Sequence, residues 1–417
     1  MGRILFLTQV LPFPLDAGPK VRAYYMLRHL SARHEVTLVS FVRPDDSPAA
    51  VDHLRGFCHA VHTVPMRRSP WRNARAAARG LLGGLPVVVA RDEIAQMSQT
   101  VRRLACAGPV DVVHADQLSM AGYGQMAACA GNGRPSRRPR TLLDAHNAVH
   151  ILARRMAEAE PNPLRRAVMA REAHAFARYE AGMCRAYDAV LTVTDEDRQL
   201  LLRLLGEGQA AERHCKFSVV PISVDPQAVH PVERRPGGPP TILHLGTMFW
   251  PPNVAGVLWF AREALPLIHR HCADARFVIV GKKPPQEVRA LAADSRIEVA
   301  GYVSDPAPLL AAADVFVVPL HSGSGMRVKI LDAWLWGLPV VSTPIGAEGI
   351  ACHDGEDILI AADAAAFAEA TLRLLRDPAL NQRLRTRGRA WVEQNYAWQV
   401  VYQRADEVYS RLITDST

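Results

Sequence analysis

The chain has 417 residues, of which 49% are hydrophobic and 22% are charged, so its length and composition predict a soluble protein of two domains. No stretch approaches the roughly 18 consecutive apolar residues of a membrane-spanning helix, and seven scattered cysteines without a CxxC pair argue against a zinc finger or a disulfide framework. Residues 1–225 carry a net charge of +9 and residues 226–417 a net charge of −1. The basic half could meet an anionic membrane surface or a phosphorylated acceptor, or it could reflect only a genome that favours arginine. Sparse aromatic residues among the basic ones argue against nucleic acid as a partner.

Short apolar runs alternate with amphipathic segments through the first half of the chain. The N-terminal apolar run is too short for a signal peptide and predicts a first strand. The odd, dispersed set of cysteines indicates reduced thiols, so we expect a cytoplasmic protein. This alternation is typical of a parallel sheet with helices on both faces. The predicted strands are RILFLTQV, EVTLVSFV, VDVVHA, RTLLDAH and DAVLTVT, and VRAYYMLRHLSAR is a predicted helix.

The segment that begins at RHCKFSVVP leaves the pattern, and its prolines and glycines at 231–240 indicate a linker. The same strand–helix rhythm then restarts at TILHLGTM. We therefore predict an α/β protein with two Rossmann-like lobes facing a central cleft, because open parallel sheets bind ligands at the carboxyl ends of their strands. The predicted divisions are an N-terminal acceptor lobe, a C-terminal donor-binding lobe and a final helix that returns to the first lobe: 1–225, 226–396 and 397–417.

A glycine-rich loop followed by a helix, residues 321–349, is the most informative stretch. Gly323 and Gly325 tolerate positive φ, so the backbone N–H groups can turn toward a ligand. Arg327 and Lys329 add two cations where the helix dipole is positive. These features predict a site for the phosphate oxygens of a nucleotide sugar.

Two acidic residues extend this prediction. Asp332 could accept hydrogen bonds from sugar hydroxyls; the alternative is a charged helix start with a stabilising i,i+3 pair. Glu348 could bond ribose hydroxyls or cap the next helix.

Candidate residues also follow two strands of the first half. Gly18 allows close backbone approach to a phosphate, and Lys20 and Arg22 place cations there, unless the segment is an ordinary surface turn. His146 ends a predicted strand and could contact the transferred sugar or the acceptor, with His114 as a weaker second candidate.

A basic stretch follows the third strand. On a helix, Arg68, Arg72, Arg75 and Arg79 would share one face, and Trp71 could enter a headgroup layer. A solvated helix face is an equally good interpretation. Reversible docking to an anionic membrane surface is therefore a hypothesis.

Several segments carry a resemblance to a known family: GSGMRVKILDAWLWGLPVVSTPIGAEGI, ILHLGTMFWPPNVAGVLWFAREALP, VIVGKKPP, VAGYVSD and LLAAADVFVVPL. They resemble the retaining glycosyltransferases of family four, which have the GT-B fold. The resemblance implies a nucleotide-diphosphate sugar donor bound mainly by the C-terminal lobe, with no cofactor and no obligatory metal. It also implies donor contacts by Gly246 and a nucleobase pocket lined by Tyr302 and Val303.

The chain departs from the family at one acidic position. The family usually carries two acidic residues seven positions apart; Asp332 matches the second, and Ser324 stands at the first. We therefore expect the backbone N–H groups of Gly325 and Met326 to contact the donor instead.

The sequence thus predicts a retaining, metal-independent glycosyltransferase with His146, Arg327 and Lys329 as its catalytic residues. Its expected partners are a nucleotide-sugar donor and a saccharide or lipid-linked acceptor. The alternatives are a nucleotide-sugar-binding regulator without activity and a nucleotide-sugar epimerase. A phosphorylase would need a cofactor lysine that the sequence does not provide. A dinucleotide oxidoreductase is disfavoured because neither lobe begins with GxGxxG.

Overall fold

The computed structural model describes residues 1–66, 70–130, 138–206, 216–233, 238–323 and 325–414. The chain forms two compact units: Met1–Ser223 together with Trp398–Thr417, and Val224–Ala397. Each unit is built on a parallel sheet with helices packed against it.

In the N-terminal unit, the described residues form a sheet of seven strands in the order β3-β2-β1-β4-β5-β6-β7. Every neighbouring pair in this sheet is parallel. Central strands are buried along almost their whole length, because helices cover both faces of a parallel sheet. The strands are β1 Arg3–Thr8, β2 Glu35–Val42, β3 Ala60–Pro65, β4 Val112–Asp116, β5 Arg140–Ala145, β6 Ala189–Thr192 and β7 Phe217–Val219.

Helices connect these strands and pack against the two faces of the sheet. They are α1 Gly18–Ser31, α2 Pro48–Arg55, α3 Pro70–Gly83, α4 Val87–Asp92, α5 Ala95–Ala107, α6 Ala121–Ala130, α7 Val149–Ala159, α8 Pro163–Ala186 and α9 Asp195–Leu205. A short 3₁₀ turn, Leu118–Met120, links β4 to α6.

The described part of the C-terminal unit has a six-stranded sheet in the order β10-β9-β8-β11-β12-β13. All of its neighbouring strands are parallel. The strands are β8 Thr241–Leu245, β9 Arg276–Val280, β10 Ile297–Gly301, β11 Val315–Val318, β12 Val340–Ser342 and β13 Leu359–Ile360.

The helices of this unit follow the same strand–helix alternation. They are α10 Pro251–Trp259, α11 Leu265–His269, α12 Gln286–Arg289, α13 Ala307–Ala312, α14 Val328–Leu335, α15 Ala364–Arg376 and α16 Pro378–Tyr396. Phe260–Ala264 continues α10 as a π-helical turn into α11.

The end of the chain packs on the N-terminal unit. Two helices, α17 Trp398–Val401 and α18 Gln403–Thr414, replace the single final helix that we predicted within residues 397–417. Their buried side chains, including Tyr402 and Tyr409, join the apolar core formed by β1, β2 and α1.

A further difference concerns the segment after residue 216. We predicted that it leaves the strand pattern, but Phe217–Val219 adds a seventh strand beside β6. Part of the predicted proline- and glycine-rich linker, residues 234–237, lies outside the described residues.

Strand order changes direction at one point in each sheet, between β1 and β4 and between β8 and β11. Ligands of open α/β sheets bind at the carboxyl ends of the strands at such a switch point. Ligand sites are therefore expected after Thr8 and Asp116 in one unit, and after Leu245 and Val318 in the other.

None of the described helices combines the length and the apolar character that crossing a membrane requires.

Candidate functional site

A buried histidine marks the switch point of the C-terminal unit. His244 lies on β8, fully buried, and its Nδ1 atom is 2.9 Å from the carbonyl oxygen of Val317 on β11. A carbonyl only accepts hydrogen bonds, so Nδ1 carries the hydrogen. Burial, with Lys329 nearby, lowers the pKa of His244 to about 3, so the ring is neutral. Its buried Nε2 atom is thus an acceptor, and it has no hydrogen-bond partner among the described residues.

Three polar atoms from three elements converge beside Gly246, which follows β8. A Cβ atom at this glycine would lie 2.6 Å from Lys329 Nζ, 3.0 Å from Asn253 Nδ2 and 3.1 Å from His244 Nε2. Only glycine fits here without displacing them. Lys329 Nζ itself donates a 2.8 Å hydrogen bond to Asn253 Oδ1, and Asn253 Nδ2 donates to the carbonyl oxygen of Thr247.

The ammonium group of Lys329 lies in an environment that disfavours its charge. Burial lowers the pKa of Lys329 to about 7, Arg327 lowers it as well, and Asp332 acts in the opposite direction. Burial also raises the pKa of Asp332 to about 7, opposed by Lys329. An anion bound here would restore the positive charge of the lysine. The carboxylate expected to pair with Lys329 at i,i+3 is not its hydrogen-bond partner, since that partner is Asn253.

The loop before α14 has the backbone conformation that its glycines predicted. Gly323 has φ +113° and Gly325 has φ +79°, values that other residues rarely adopt. Arg327 lies directly before α14, and its Nη1 atom donates a 2.9 Å hydrogen bond to the carbonyl oxygen of Gly325. The loop backbone and the guanidinium are thus held together at the start of the helix. Ser324 lies outside the described residues.

The remaining candidates of this unit lie on separate turns. Met326 is buried. Tyr302 is exposed, with Lys282 Nζ 4.7 Å from the centre of its ring, and Val303 follows it half-buried. Glu348 is half-buried in the turn after β12, and because the next helix begins at Ala364, it does not cap that helix.

In the N-terminal unit, His146 follows β5 and is fixed by a carboxylate on the neighbouring strand. Its Nε2 atom lies 2.8 Å from Oδ1 of Asp116, at the end of β4, and its side chain is 11% exposed. Asp116 is completely buried, and burial raises its pKa. A carboxylate accepts hydrogen bonds, so the hydrogen is on Nε2 and Nδ1 is the nitrogen left for a ligand.

The prediction that Arg22 contacts phosphate is wrong. Its guanidinium is fully buried, donates to both carboxylate oxygens of Asp144 at 2.7–3.0 Å, and also donates to the carbonyl oxygen of Pro221. Burial by itself would raise the pKa of Asp144, but Arg22, together with His146 and His114, outweighs this effect and the pKa falls below its usual value. Helix α1 turns this side chain toward the sheet, so Arg22 holds the strand ends together.

Lys20 and Gly18 lie in the turn at the start of α1. Lys20 Nζ is 3.0 Å from Asp16 Oδ1, within the same turn. Gly18 is the first residue of the helix, and its cap, Ala17, provides no side-chain hydrogen bond. These two residues begin the helix that follows β1 in the chain.

Ligand-type atoms of His114, Asp116 and Asp144 lie within 4.8 Å of one another, all buried. Asp144 is held by Arg22, and His114 Nδ1 is hydrogen-bonded to the hydroxyl group of Tyr409, whereas His114 Nε2 and Asp116 Oδ2 are buried without a hydrogen-bond partner among the described residues. A cation there would face a fixed guanidinium charge, so the cluster does not fit a metal site. His114 is also inaccessible, stacked on Phe6, and does not fit a catalytic role.

Comparison with known proteins follows the same division of the chain. Residues 17–228 match the family described as Glycosyltransferase Family 4, and residues 239–377 match the one described as Glycosyl transferases group 1. The first match alone spans more than half of the chain. The chain belongs to glycosyltransferase family 4.

Among curated relatives of this family 4 protein, the phosphatidyl-myo-inositol mannosyltransferase of Mycobacterium leprae is 30% identical over 183 residues, which are 42% of this chain and 48% of that protein. The chain spans about half the length of the curated relatives it matches first.

Solved structures share the fold over nearly the whole chain. Anabaena HepE in complex with UDP matches with a TM-score of 0.67 at 14% identity, covering 98% of this chain and all of that one. Sucrose-phosphate synthase from Thermosynechococcus elongatus matches with a TM-score of 0.70 at 17% identity, covering 99% and 100%. The GT-B architecture of two Rossmann-like lobes is thereby confirmed.

Sequence reasoning about this family 4 glycosyltransferase missed four site residues: His244, Asn253, Asp116 and Asp144. Each carries a polar side chain in, or directly after, an otherwise apolar strand, or in the first turn of a helix. That position at a sheet's carboxyl edge was a usable signal. Their partners lie 30 to 122 positions away in the chain, which local patterns do not reveal.

Proposed function

We propose that this protein transfers a sugar from a nucleotide-diphosphate donor to an acceptor hydroxyl, with retention of the anomeric configuration and without a metal ion. The observation that carries the proposal is the convergence of Lys329, His244 and Asn253 over Gly246 at the β8–β11 switch point. Arg327 and the glycine loop adjoin the same helix start. Two cations and the amides of a helix N-terminus are a suitable binding site for a diphosphate.

The protein must stabilise the negative charge that develops on the leaving group. As the bond from the anomeric carbon to the diphosphate breaks, negative charge develops on the departing oxygen. Lys329 and Arg327 would stabilise that charge in place of a metal ion. We propose a front-face mechanism in which the departing oxygen accepts the proton of the acceptor hydroxyl, so that no protein nucleophile is needed.

Acidic and imidazole groups have supporting roles in this proposal. His146, fixed by Asp116, offers its Nδ1 atom to the acceptor or the transferred sugar. Asp332, whose pKa burial raises to about 7, can accept from a sugar hydroxyl when ionised. We further propose that Gly246, Tyr302, Val303, Gly325, Met326 and Glu348 contact the donor, and that Gly18 and Lys20 contact the acceptor or a phosphate.

The comparisons support the proposed donor and pathway class. The structural neighbour HepE was solved in complex with UDP, and the Mycobacterium leprae relative is named a phosphatidyl-myo-inositol mannosyltransferase. We therefore propose a role in the assembly of a glycan, polysaccharide or glycolipid, with a saccharide or lipid-linked acceptor.

The test is turnover of a panel of nucleotide sugars with saccharide and lipid-linked acceptors, followed by NMR of the product's anomeric proton. We expect transfer with the donor's configuration kept, in the presence of excess chelator. Inverted product would contradict the mechanism, and loss of turnover on chelation would contradict metal independence. Donor binding without transfer to any acceptor would favour the inactive regulator, and an epimerised sugar product would favour the epimerase.

A further inference from the structure

The N-terminal unit contains a cavity of about 480 Å³. Its lining residues come from α3, α4, the first turn of α5, α6 and α8, and from the turns next to them. Small-molecule sites are typically about 300–1,000 Å³, whereas packing voids in protein interiors hold few atoms. A cavity of this size can hold a small molecule. It lies wholly among the described residues of one unit.

Positive charge predominates along the cavity wall. Arg75, Arg79 and Arg91 line it, with Glu93 as the acidic side chain among the described lining residues. Arg79 is paired with Glu93 at 3.0 Å, and Arg91 with Asp92 at 3.0 Å. Arg75 makes no ion pair or hydrogen bond with another described residue, so its charge is available to a ligand.

The first turn of α5 adds to this positive field. Ala95 and Ser98 of this 13-residue helix line the cavity. The helix has no side-chain cap at Ile94 and no acidic residue in its first turn. Its positive end therefore borders the space beside the arginines, an arrangement that favours an anion.

The rest of the described wall combines carbon surface with four hydroxyl-bearing side chains, Ser98, Ser119, Tyr123 and Tyr179. Ala76, Val89, Ile94 and Met126 present carbon surface. Ser119 also lines the cavity, and its Oγ atom is buried without a hydrogen-bond partner among the described residues. Buried polar atoms normally have a partner, so this hydroxyl is suited to a ligand oxygen. The wall thus matches a molecule with an anionic group and an apolar part.

The cavity lies at the sheet edge that also carries His146. Ser119 is three residues beyond Asp116, the carboxylate that fixes His146. On the other side, Gln9, directly after β1, donates a 2.9 Å hydrogen bond to Asp92 at the end of α4. The segments that follow β1 and β4 are thus both linked to elements of the cavity wall, the first through the Gln9–Asp92 hydrogen bond and the second through Ser119.

We infer that this cavity binds an acceptor molecule that is a phosphate ester of an apolar alcohol. Its phosphate would lie at Arg75 and the N-terminus of α5. The cavity's role as an acceptor site rests on the proposed function, whereas the binding of such an ester does not. This assignment gives Arg75 and Arg79, which the sequence placed on a membrane-facing or solvated helix face, a ligand within the unit.

Calorimetry with octyl phosphate, inorganic phosphate and octanol tests the inference on the full chain. The variants are Arg75→Ala, which removes the available cation, and Ala95→Trp, which places a large ring at the α5 end of the cavity. Both positions are exposed, so folding should be unaffected. Arg102→Ala, at an exposed position on the same helix α5, is the matched control. UDP binding is measured in parallel for each protein.

We expect saturable binding of octyl phosphate, about tenfold tighter than that of inorganic phosphate or octanol. Arg75→Ala and Ala95→Trp should each weaken it at least about fivefold, and Arg102→Ala should leave it unchanged. Absent binding, or binding that neither variant weakens, would overturn the inference. Equal affinity for inorganic phosphate would also overturn it, because the apolar wall would then contribute nothing. If the unaltered protein does not bind UDP, that result would instead count against the proposed function.

Discussion

The Nζ atom of Lys329 lies 2.8 Å from Oδ1 of Asn253, 76 positions away in the chain. This contact joins the helix after β11 to the helix after β8, across the switch point of the sheet. It holds the ammonium group over Gly246, where the proposed diphosphate would bind.

The low pKa of Lys329 predicts that donor binding is coupled to proton uptake. The free lysine, with a pKa of about 7, is mostly neutral at pH 8. A bound diphosphate favours its charged form and raises that pKa. Affinity for UDP should therefore fall as the pH rises from about 7 to 9, with uptake approaching one proton near pH 8. Calorimetry in buffers of different ionisation enthalpy measures this uptake.

The Lys329→Arg variant is the matched control for that coupling. Arginine stays charged throughout this range, so the UDP affinity of this variant should vary less with pH and its proton uptake should be smaller, the remainder belonging to Asp332, whose pKa burial raises to about 7. If this variant takes up as many protons on UDP binding as the unaltered protein, the proton binds to a group other than Lys329.

Replacing Gly246 by alanine should weaken donor binding without unfolding the protein. The added Cβ would lie 2.6 Å from Lys329 Nζ, and the flexible lysine would have to move away. We expect an increase of about tenfold in the KM for the donor. Gly182→Ala in α8, where nothing lies within 4 Å of the added Cβ, is the control and should leave KM unchanged. Unaltered donor kinetics in Gly246→Ala would show that Lys329 does not act from its observed position.

His146→Ala should lower kcat by about 100-fold or more, with little effect on UDP affinity, because its imidazole contacts the acceptor or the transferred sugar. Steady-state kinetics together with UDP titration separates the two effects.

Asp116→Asn tests how His146 is held. An amide in place of the carboxylate no longer fixes the hydrogen on Nε2, so kcat should fall and its pH profile should shift. If His146→Ala has a kcat close to that of the unaltered protein, His146 has no catalytic role.

The buried pair of Arg22 and Asp144 should be a determinant of stability. Arg22→Met leaves the Asp144 carboxylate buried without its cation, and the free energy of unfolding should fall by about 3–5 kcal/mol. The double variant Arg22→Met, Asp144→Asn should recover part of this loss. Urea denaturation measures both. Arg33→Ala, which removes an exposed and weakly paired arginine, is the control with an expected change below about 1 kcal/mol. A single variant as stable as its control would contradict this role.

Local patterns in the sequence were sufficient for the fold and for the glycine loop. Apolar runs of four to eight residues predicted the central strands, and Gly323 and Gly325 have the positive φ angles expected of them. Both features depend on neighbours in the chain, which the sequence displays directly.

Long-range pairing is where sequence reasoning was insufficient. Arg22 follows a glycine turn and resembles a phosphate ligand, but its partner, Asp144, lies 122 positions away and draws it into the interior. Asn253 has no local signal of its partner for the same reason, since only folding brings it to Lys329. The predicted C-terminal helix is likewise divided into α17 and α18. The side chains of Tyr402 and Tyr409 in this segment pack into the core of the N-terminal unit.

A crystal structure of the protein with bound UDP tests the central claim most directly. We predict diphosphate oxygens within about 3 Å of Lys329 Nζ, with the phosphate beside the 323–327 backbone and the start of α14. UDP bound elsewhere, with Lys329 still hydrogen-bonded only to Asn253, would contradict the account.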